Sequence, residues 1–586
     1  MLTFLIRRIA QMVPLLFVVS LLVFALIHAA PGGPLALYLD NPNVRPADIE
    51  RLRRQMGLDR PLAAQYAAWA IAFVRGDWGY SYADGRPVLD RLLERVPATL
   101  QLVGVSTLMA VIVSVIIGIA SSVRRGVDRV ATVGAVAGIS LPVFWLGLVL
   151  QLVFANMLGW LPSSGRTSFA GGGLADRIAH LVLPVLVLAA AHAAGWSRYL
   201  RGSMRQALDQ PFISAARARG VSDARLVLRH ALSNALLPFV TVVLLDASIM
   251  ASGAVVTESV FASPGVGEPV HRVAGEARLH GADGVPHVRV DRGGRAEPCR
   301  GRRGSGARSA TARRRVILRG AMRDRAVLAA AIVLGALLLL ALLAPYVAPH
   351  PFDALDLAQR RGAPSARHLF GTDELGRDLL TRILYGARIS LSIGLVAAAL
   401  SAAIGVTVGA TAGFARGVAD AVLMRFTDAM LSIPTLPLLM IAAAVLDPGV
   451  PLLIALVGAV GWMETARVVR TEVQSLSVRD FVTAARAAGA RGPRILVRHV
   501  LPGVLPTAMV ALTIAVGRGI LLESALSFFG VGVQPPTASW GNMLYQAQTT
   551  MSSEPWLGIF PGAFIFVTVL CFNVLGGALG GGEARG

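Results

Sequence analysis

Two stretches of this chain share a residue pattern with chemical meaning: FISAARARGVSDARLVLRHAL at residues 212–232 and FVTAARAAGARGPRILVRHVL at residues 481–501. They align without a gap at an offset of 269 residues and keep Phe, Ala-Ala-Arg-Ala, Gly and Arg-His in register. The chemistry they can do is recognition, not bond making. The small side chains of Ala215, Ala216, Ala484 and Ala485 let another surface come close, and Phe212 and Phe481 can enter an apolar pocket. Arg217, Arg229, Arg486 and Arg498, flanked by His230 and His499, can reach the acidic groups of a protein or of anionic lipid. For one copy alone, a positively charged cytoplasmic loop is an equal reading. Two matching copies in otherwise divergent halves favour a specific docking surface.

Catalytic signatures are missing. The chain has no lysine, so the phosphate loop GxxxxGK[ST] cannot occur in it. There is no GxSxG elbow, no HExxH and no paired metal-ligand spacing. Cys299 and Cys571 lie far apart, so neither a disulfide framework nor a cysteine metal site is indicated. An intramembrane protease would need a Ser/His pair or two aspartates at matching depth, and no convincing pair is present. We therefore expect no catalytic residue, no metal and no cofactor in this chain.

The remaining ionisable groups inside apolar runs are few. Asp246, in VTVVLLDASIMASG, is costly in lipid and belongs either to a solute pathway or to a polar partner on a neighbouring helix. Glu464 and Arg518 lie nearer the ends of their runs and read as snorkelling or locally paired. Glu258 and Glu523 sit at the outer ends of the fifth spans, where they either line the external mouth or serve as caps or salt-bridge partners. Pro142 and Pro434 lie inside spans as kinks or breaks that can serve gating.

The elements that position these residues follow from composition. Of 586 residues, 55% are hydrophobic and only 15% charged, with mean hydropathy +0.63, and several apolar runs approach the length of a bilayer crossing. The formal charge of +21 falls mainly on arginines in short segments between these runs, which marks cytoplasmic loops and not nucleic-acid binding. Spans are expected near 12–30, 100–120, 131–157, 179–196 and 235–256, then near 326–346, 389–412, 421–446, 450–466, 503–522 and 557–577. The run after Arg7 and Arg8 is longer than the core of a signal peptide, so it reads as a retained span.

The two halves repeat further landmarks. Asp128 and Ser140-Leu141-Pro142 match Asp420 and Ser432-Ile433-Pro434, and Glu258-Ser259 with Gly265-Val266-Gly267 matches Glu523-Ser524 with Gly530-Val531-Gly532. Within each docking element a short helix is expected to start at Asp209 or Asp480 as cap and to end at Gly220 or Gly489 in a left-handed conformation. A second helix, from Ser222-Asp223 or Gly492-Pro493, should then lead into the next span. Residues 271–315 form an Arg/Gly-rich linker with no apolar run. An odd number of spans before it would carry the second docking element to the wrong face, so a sixth span of the first half is expected to be missing.

With these residues in view, both elements resemble the cytoplasmic coupling ("EAA") loops of ABC importer permeases of the dipeptide/oligopeptide/nickel group. The first half resembles the B-type subunit through Arg7-Arg8, Gly57-Leu58-Asp59-Arg60-Pro61, Gly76-Asp77-Trp78-Gly79, Pro97-Ala98-Thr99-Leu100, Pro142-Val143-Phe144-Trp145-Leu146-Gly147 and Val256-Thr257-Glu258. The second resembles the C-type subunit through FGTDELGRDLLTRILYGARISL at 370–391 and LLESALSFFGVGVQPPTASWGNML at 521–544. Ser214 and Thr483 stand where the motif carries its acid, and the chain ends in GGALGGGEARG, not in the Asp-Pro-Arg usual for the family.

The resemblance implies an all-α polytopic membrane protein of two tandem bundles, about 5 + 6 spans, of the type I ABC importer permease fold. Its domains would be a B-type unit at 1–270, the linker at 271–315 and a C-type unit at 316–586. It implies a non-enzymatic permease of the bacterial cytoplasmic membrane, with the N-terminus and coupling loops cytoplasmic. ATP and Mg would be bound by two partner ATPase subunits, and dipeptides or oligopeptides delivered by an extracytoplasmic binding protein. Nickel or a glutathione-type solute is an alternative, and a further permease copy could supply the missing span. From another class, the chain is a membrane scaffold or a frameshifted product of two adjacent genes.

Overall fold

Hydrocarbon offers backbone groups no partner, so a chain of long apolar runs satisfies its amides within helices. The computed structural model describes residues 2–29, 35, 45–55, 57–81, 85–168, 171–265, 324–446 and 449–581. The first half places α1 (Leu2–Ala29), α2 (Pro46–Gln55) and α3 (Leu62–Val74) before α4 (Val88–Val123). It continues with α5 (Arg125–Ser140), α6 (Val143–Leu150), α7 (Leu174–Leu208), α8 (Pro211–Ala218) and α9 (Asp223–Val260). The second half repeats the series as α10 (Arg325–Leu342), α11 (Leu379–Ala415), α12 (Gly417–Ser432), α13 (Thr435–Val445), α14 (Val450–Leu476), α15 (Asp480–Ala487) and α16 (Gly492–Phe528), then α17 (Trp540–Ala547) and α18 (Trp556–Gly581).

Eight of these helices are each long and apolar enough to cross a bilayer, and two bent pairs add up to two further crossings. α1 carries a shorter apolar stretch, Met12–Ala25. Among the described residues no strand forms beyond two isolated bridges. The molecule is an all-α polytopic membrane protein with two tandem bundles. The linker at 271–315 and the place of a sixth span in the first half lie outside the described residues.

Two expectations need correction. The spans expected at 131–157 and 421–446 are each broken, with α5 and α6 bent by 101° and α12 and α13 by 79°. Proline is the cause: it has no N–H to donate and pushes the residue before it out of helical geometry. Leu141 and Ile433 are accordingly extended, at ψ 125° and 126°. The second helix of each docking element leads into the following span as expected, in one continuous helix. Asp209 and Asp480, however, do not cap: Gln210 and Arg479 precede the helices, Pro211 takes the first position of α8, and Asp480 lies inside the first turn of α15.

Small residues set the packing within each bundle. Along α11, Gly405, Gly409 and Gly413 recur every fourth residue against α14, where an added Cβ would lie 2.7, 2.4 and 2.7 Å from the carbonyl oxygens of Trp462, Ala466 and Arg470. Along α4, the buried Ala110, Ser114 and Gly118 face α7 with the same period, and Ser114 Oγ donates to the Ala193 carbonyl at 3.4 Å. Without a hydrophobic drive between helices in lipid, such close backbone approach supplies the packing energy.

The two halves meet where α5 and α6 pack on α18. Phe144 stacks on Phe528 with ring centroids 4.7 Å apart, Trp145 Nε1 donates to the Gly558 carbonyl at 3.0 Å, and Asn573 Nδ2 donates to Ser140 Oγ at 2.8 Å. Gly147 is backed by Val260 and Phe261, so the far end of α9 lies beside the far end of α16. Both docking elements therefore lie at the opposite, common end of the molecule.

Gly409→Ala should destabilise the protein by about 1–3 kcal/mol, because a methyl group there meets backbone and not a movable side chain. Gly104→Ala, with nothing within 4 Å of the new atom, should be neutral or mildly stabilising. Thermal unfolding of the two variants in detergent checks the contrast.

Candidate functional site: paired coupling elements

The docking elements are built alike, residue for residue. Each short helix puts one apolar foot into its own bundle: Ile213 and Val482 are fully buried. Leu226 and Ala231 in the first copy, and Ile495 and Val500 in the second, bury the same positions of the following helix. The opposite face is open. Phe212 and Phe481 stand 42% and 46% exposed at matching positions of the two copies. Ala215, Ala484, Arg217, Arg486, Arg229 and Arg498 are exposed beside them, while Ala216, Ala485, His230 and His499 are half-buried. Arg217 Nε lies 3.6 Å from Asp223 Oδ1 across the turn.

The turn is the same device twice. Gly220 and Gly489 adopt φ +81° and +78°, the left-handed region that costs a residue with Cβ. The Gly220 amide donates to the Arg217 carbonyl at 2.9 Å and the Val221 amide to Ala216 at 3.2 Å, and Gly489 and Ala490 bond Arg486 and Ala485 at 3.0 Å. This double bond closes each helix rigidly. Beyond the turn the backbone widens by one residue per turn at Leu226–Ala231 and at Leu496–Val500, the segments that carry Arg-His. Each element then continues without a break into α9 or α16.

A contact that sequence reading missed ties each element to its broken helix. Asp128 on α5 pairs with Arg201 on α7, and Arg205 Nη2 reaches its other oxygen at 2.8 Å. In the second copy Arg470 on α14 grips Asp420 on α12 with two bonds of 2.5 and 2.6 Å, supported by Gln474 at 3.4 Å. Arg470 and Gln474 stand at the 269-residue offset from Arg201 and Arg205. That shared offset was the available signal: the arginines repeat in step with the docking elements they precede.

The candidate pathway residues fall in different places. Asp246, half-buried on α9, accepts a hydrogen bond from Trp196 Nε1 at 2.8 Å, and His192 packs on Trp196 with centroids 5.6 Å apart. Arg518 pairs with Glu464 at 2.6 Å, beside a cavity of about 220 Å³ between α11, α14 and α16 that Ser401, Thr465 and Thr507 also line. Gly461 and Thr465 of that cavity stand at the repeat offset from His192 and Trp196, so the polar clusters of the two bundles occupy equivalent positions.

Glu258 and Glu523 do not line an open mouth. They are 1% and 0% exposed, Glu258 accepting from Thr99 at 2.6 Å and Glu523 from Ser390 at 3.0 Å and Ser527 at 2.8 Å. Their hydroxyl partners satisfy the carboxyl groups and tie neighbouring helices together at the far end. Pro142 and Pro434 mark the two helix breaks.

The model of the family described as "Binding-protein-dependent transport system inner membrane component" matches twice, at residues 110–282 and 405–581. The chain belongs to this family. The N-terminal part of such components matches residues 1–103, and the N-terminal transmembrane domain of oligopeptide transport permease C matches 314–364. The chain is 38% identical over 272 residues to the oligopeptide transport system permease protein AppB of Bacillus subtilis (strain 168), covering 46% of this chain and 86% of AppB. It is 40% identical over 269 residues to the glutathione transport system permease protein GsiC of Escherichia coli (strain K12), covering 46% of this chain and 85% of GsiC. The protein is thus an ABC permease of the oligopeptide/dipeptide type with two permease units in one multi-pass chain.

For this permease, the ion pairs between each broken helix and the helix preceding the docking element predict their own test. Asp420→Ala removes a carboxylate with charge-assisted partners and should lower stability by about 1–3 kcal/mol. In the Arg470→Met background the same change should cost markedly less, and a double-mutant cycle of unfolding midpoints measures the difference.

Proposed function

We propose that this permease forms the translocation pathway of an ATP-driven importer for dipeptides or oligopeptides, and that α8 and α15 are the surfaces on which two separate ATPase subunits act. The observation that carries the reading is the pair of matching docking elements, each with an exposed phenylalanine, at one end of the molecule. Phe212 and Phe481 would fill pockets on the ATPases, with the alanines permitting close approach and Arg217 and Arg486 meeting acidic rims. ATP and Mg belong to those subunits, since the chain can write no phosphate loop.

Force delivered at α8 and α15 would travel along α9 and α16 and, through Arg201 and Arg470, into α5 and α12. The breaks at Pro142 and Pro434 let α6 and α13 change tilt while the rest of each bundle stays packed. The polar clusters around Asp246 and around Glu464 and Arg518 would then contact solute as access switches. An extracytoplasmic binding protein would deliver that solute, and the N-terminus and coupling elements would face the cytoplasm. The two units would occupy 1–270 and 316–586, with a further permease copy as the source of any missing span. A glutathione-type solute is the second reading, favoured by the likeness to GsiC.

The combined variant Phe212→Ala and Phe481→Ala should lower ATPase association by at least about tenfold while leaving helix content unchanged, as expected for paired aromatic anchors. Arg217→Glu with Arg486→Glu should weaken association and uptake further at low salt. Co-purification and uptake into proteoliposomes measure both, and intact association and transport in all variants would reject the assignment.

A further inference from the structure

At the end of the second bundle remote from the coupling elements, three side chains of metal-ligand type meet although no compact spacing links them. His350 follows α10, His368 lies in the loop beyond it, and Asp378 is the N-cap of α11. His368 Nδ1 is 2.9 Å from Asp378 Oδ1, and His350 Nδ1 is 3.6 Å from the same oxygen. The imidazole rings stack with centroids 4.5 Å apart, and the three ligand atoms lie within 4.8 Å of one another.

The cluster is held from outside. Asp378 Oδ2 accepts the Thr381 amide at 2.8 Å, which fixes the carboxylate and turns Oδ1 toward the histidines. The His350 amide donates to Thr381 Oγ1 at 3.4 Å, and the Leu379 amide bonds the Gly371 carbonyl at 3.0 Å, closing the loop beside His368. Such support of ligands by a second layer of hydrogen bonds is typical of metal centres.

Hydrogen bonding among the three leaves a remainder. His350 Nδ1 is buried and has no hydrogen-bond partner, and 3.6 Å is too long for one to Asp378. An orphaned nitrogen of this kind is costly unless something fills the gap. Tetrahedral zinc, with N and O ligands at about 2.0–2.1 Å, separates neighbouring ligand atoms by roughly 3.3 Å, and the two observed separations straddle that value. Two imidazoles and a carboxylate also suit a zinc-type cation chemically.

We propose that His350, His368 and Asp378 form a zinc-type divalent metal site, with water as fourth ligand, that staples the α10–α11 loop to the start of α11. His350 is the most exposed of the three, its side chain 24% accessible, and provides the way in. The site crosslinks three segments that otherwise share only a few hydrogen bonds, so its occupancy would stiffen this end of the permease.

The full-length protein, purified in detergent without a polyhistidine tag and stripped with chelator, should take up one equivalent of Zn²⁺ by elemental analysis and calorimetric titration. Co²⁺ in its place should give the visible absorption of a tetrahedral N/O site. His350→Gln and His368→Gln should each weaken Zn²⁺ binding by about tenfold or more, and Zn²⁺ should raise the unfolding midpoint of the wild type but not of His350→Gln. His350→Gln, at the exposed edge, keeps the test open should His368→Gln fail to fold. Wild-type protein that binds no stoichiometric Zn²⁺, or a folded His350→Gln variant that binds it as well as wild type, would overturn the proposal.

Discussion

The structure depends on a pair of half-buried charged clamps, one in each bundle: Asp128 held by Arg201 and Arg205, and Asp420 held by Arg470. A lipid tail is as apolar as a leucine, so the lipid-facing sides of the helices contribute little to fixing their rotation. An ion pair contributes more. Each clamp sits where a broken helix leaves the coupling end and joins it to the helix that enters the coupling element. Losing one member would strand a charge, so the geometry on either side is constrained together.

Around the clamps, the seams of small residues on α4 and α11 bring helices to close contact, and the breaks at Pro142 and Pro434 interrupt the same bundles. α9 and α16 run unbroken from coupling turn to far end, where Glu258 and Glu523 accept hydroxyl hydrogen bonds from neighbouring helices. α6, by contrast, is held in the seam between the halves by the Phe144–Phe528 stack and the Trp145 hydrogen bond.

What the sequence made legible followed from repetition. The coupling elements, their glycine turns and the proline breaks all occur twice, and an internal duplicate serves as its own control. Four features were not legible for physical reasons. Arg201 and Arg470 carry no local sign of their roles because their aspartates lie on helices 73 and 50 residues away in sequence. Glu258 and Glu523 stand near span ends, and linear position does not distinguish a mouth from a buried hydroxyl cluster. Asp209 read as a cap, but Pro211 sets the helix start by its fixed φ and missing amide. His350, His368 and Asp378 converge only because the α10–α11 loop folds back on itself, and their spacing fits no compact ligand motif.

The socket at Gly562 has a consequence for the seam between the units. An added Cβ there would lie 1.9 Å from Trp145 Nε1, so the indole occupies space that only glycine leaves free. At the corresponding place after the second proline break, the chain carries Pro437 instead of tryptophan. The indole and the hollow that receives it thus come from different units, and a side chain at 562 would have to displace Trp145 and with it part of the seam between the halves.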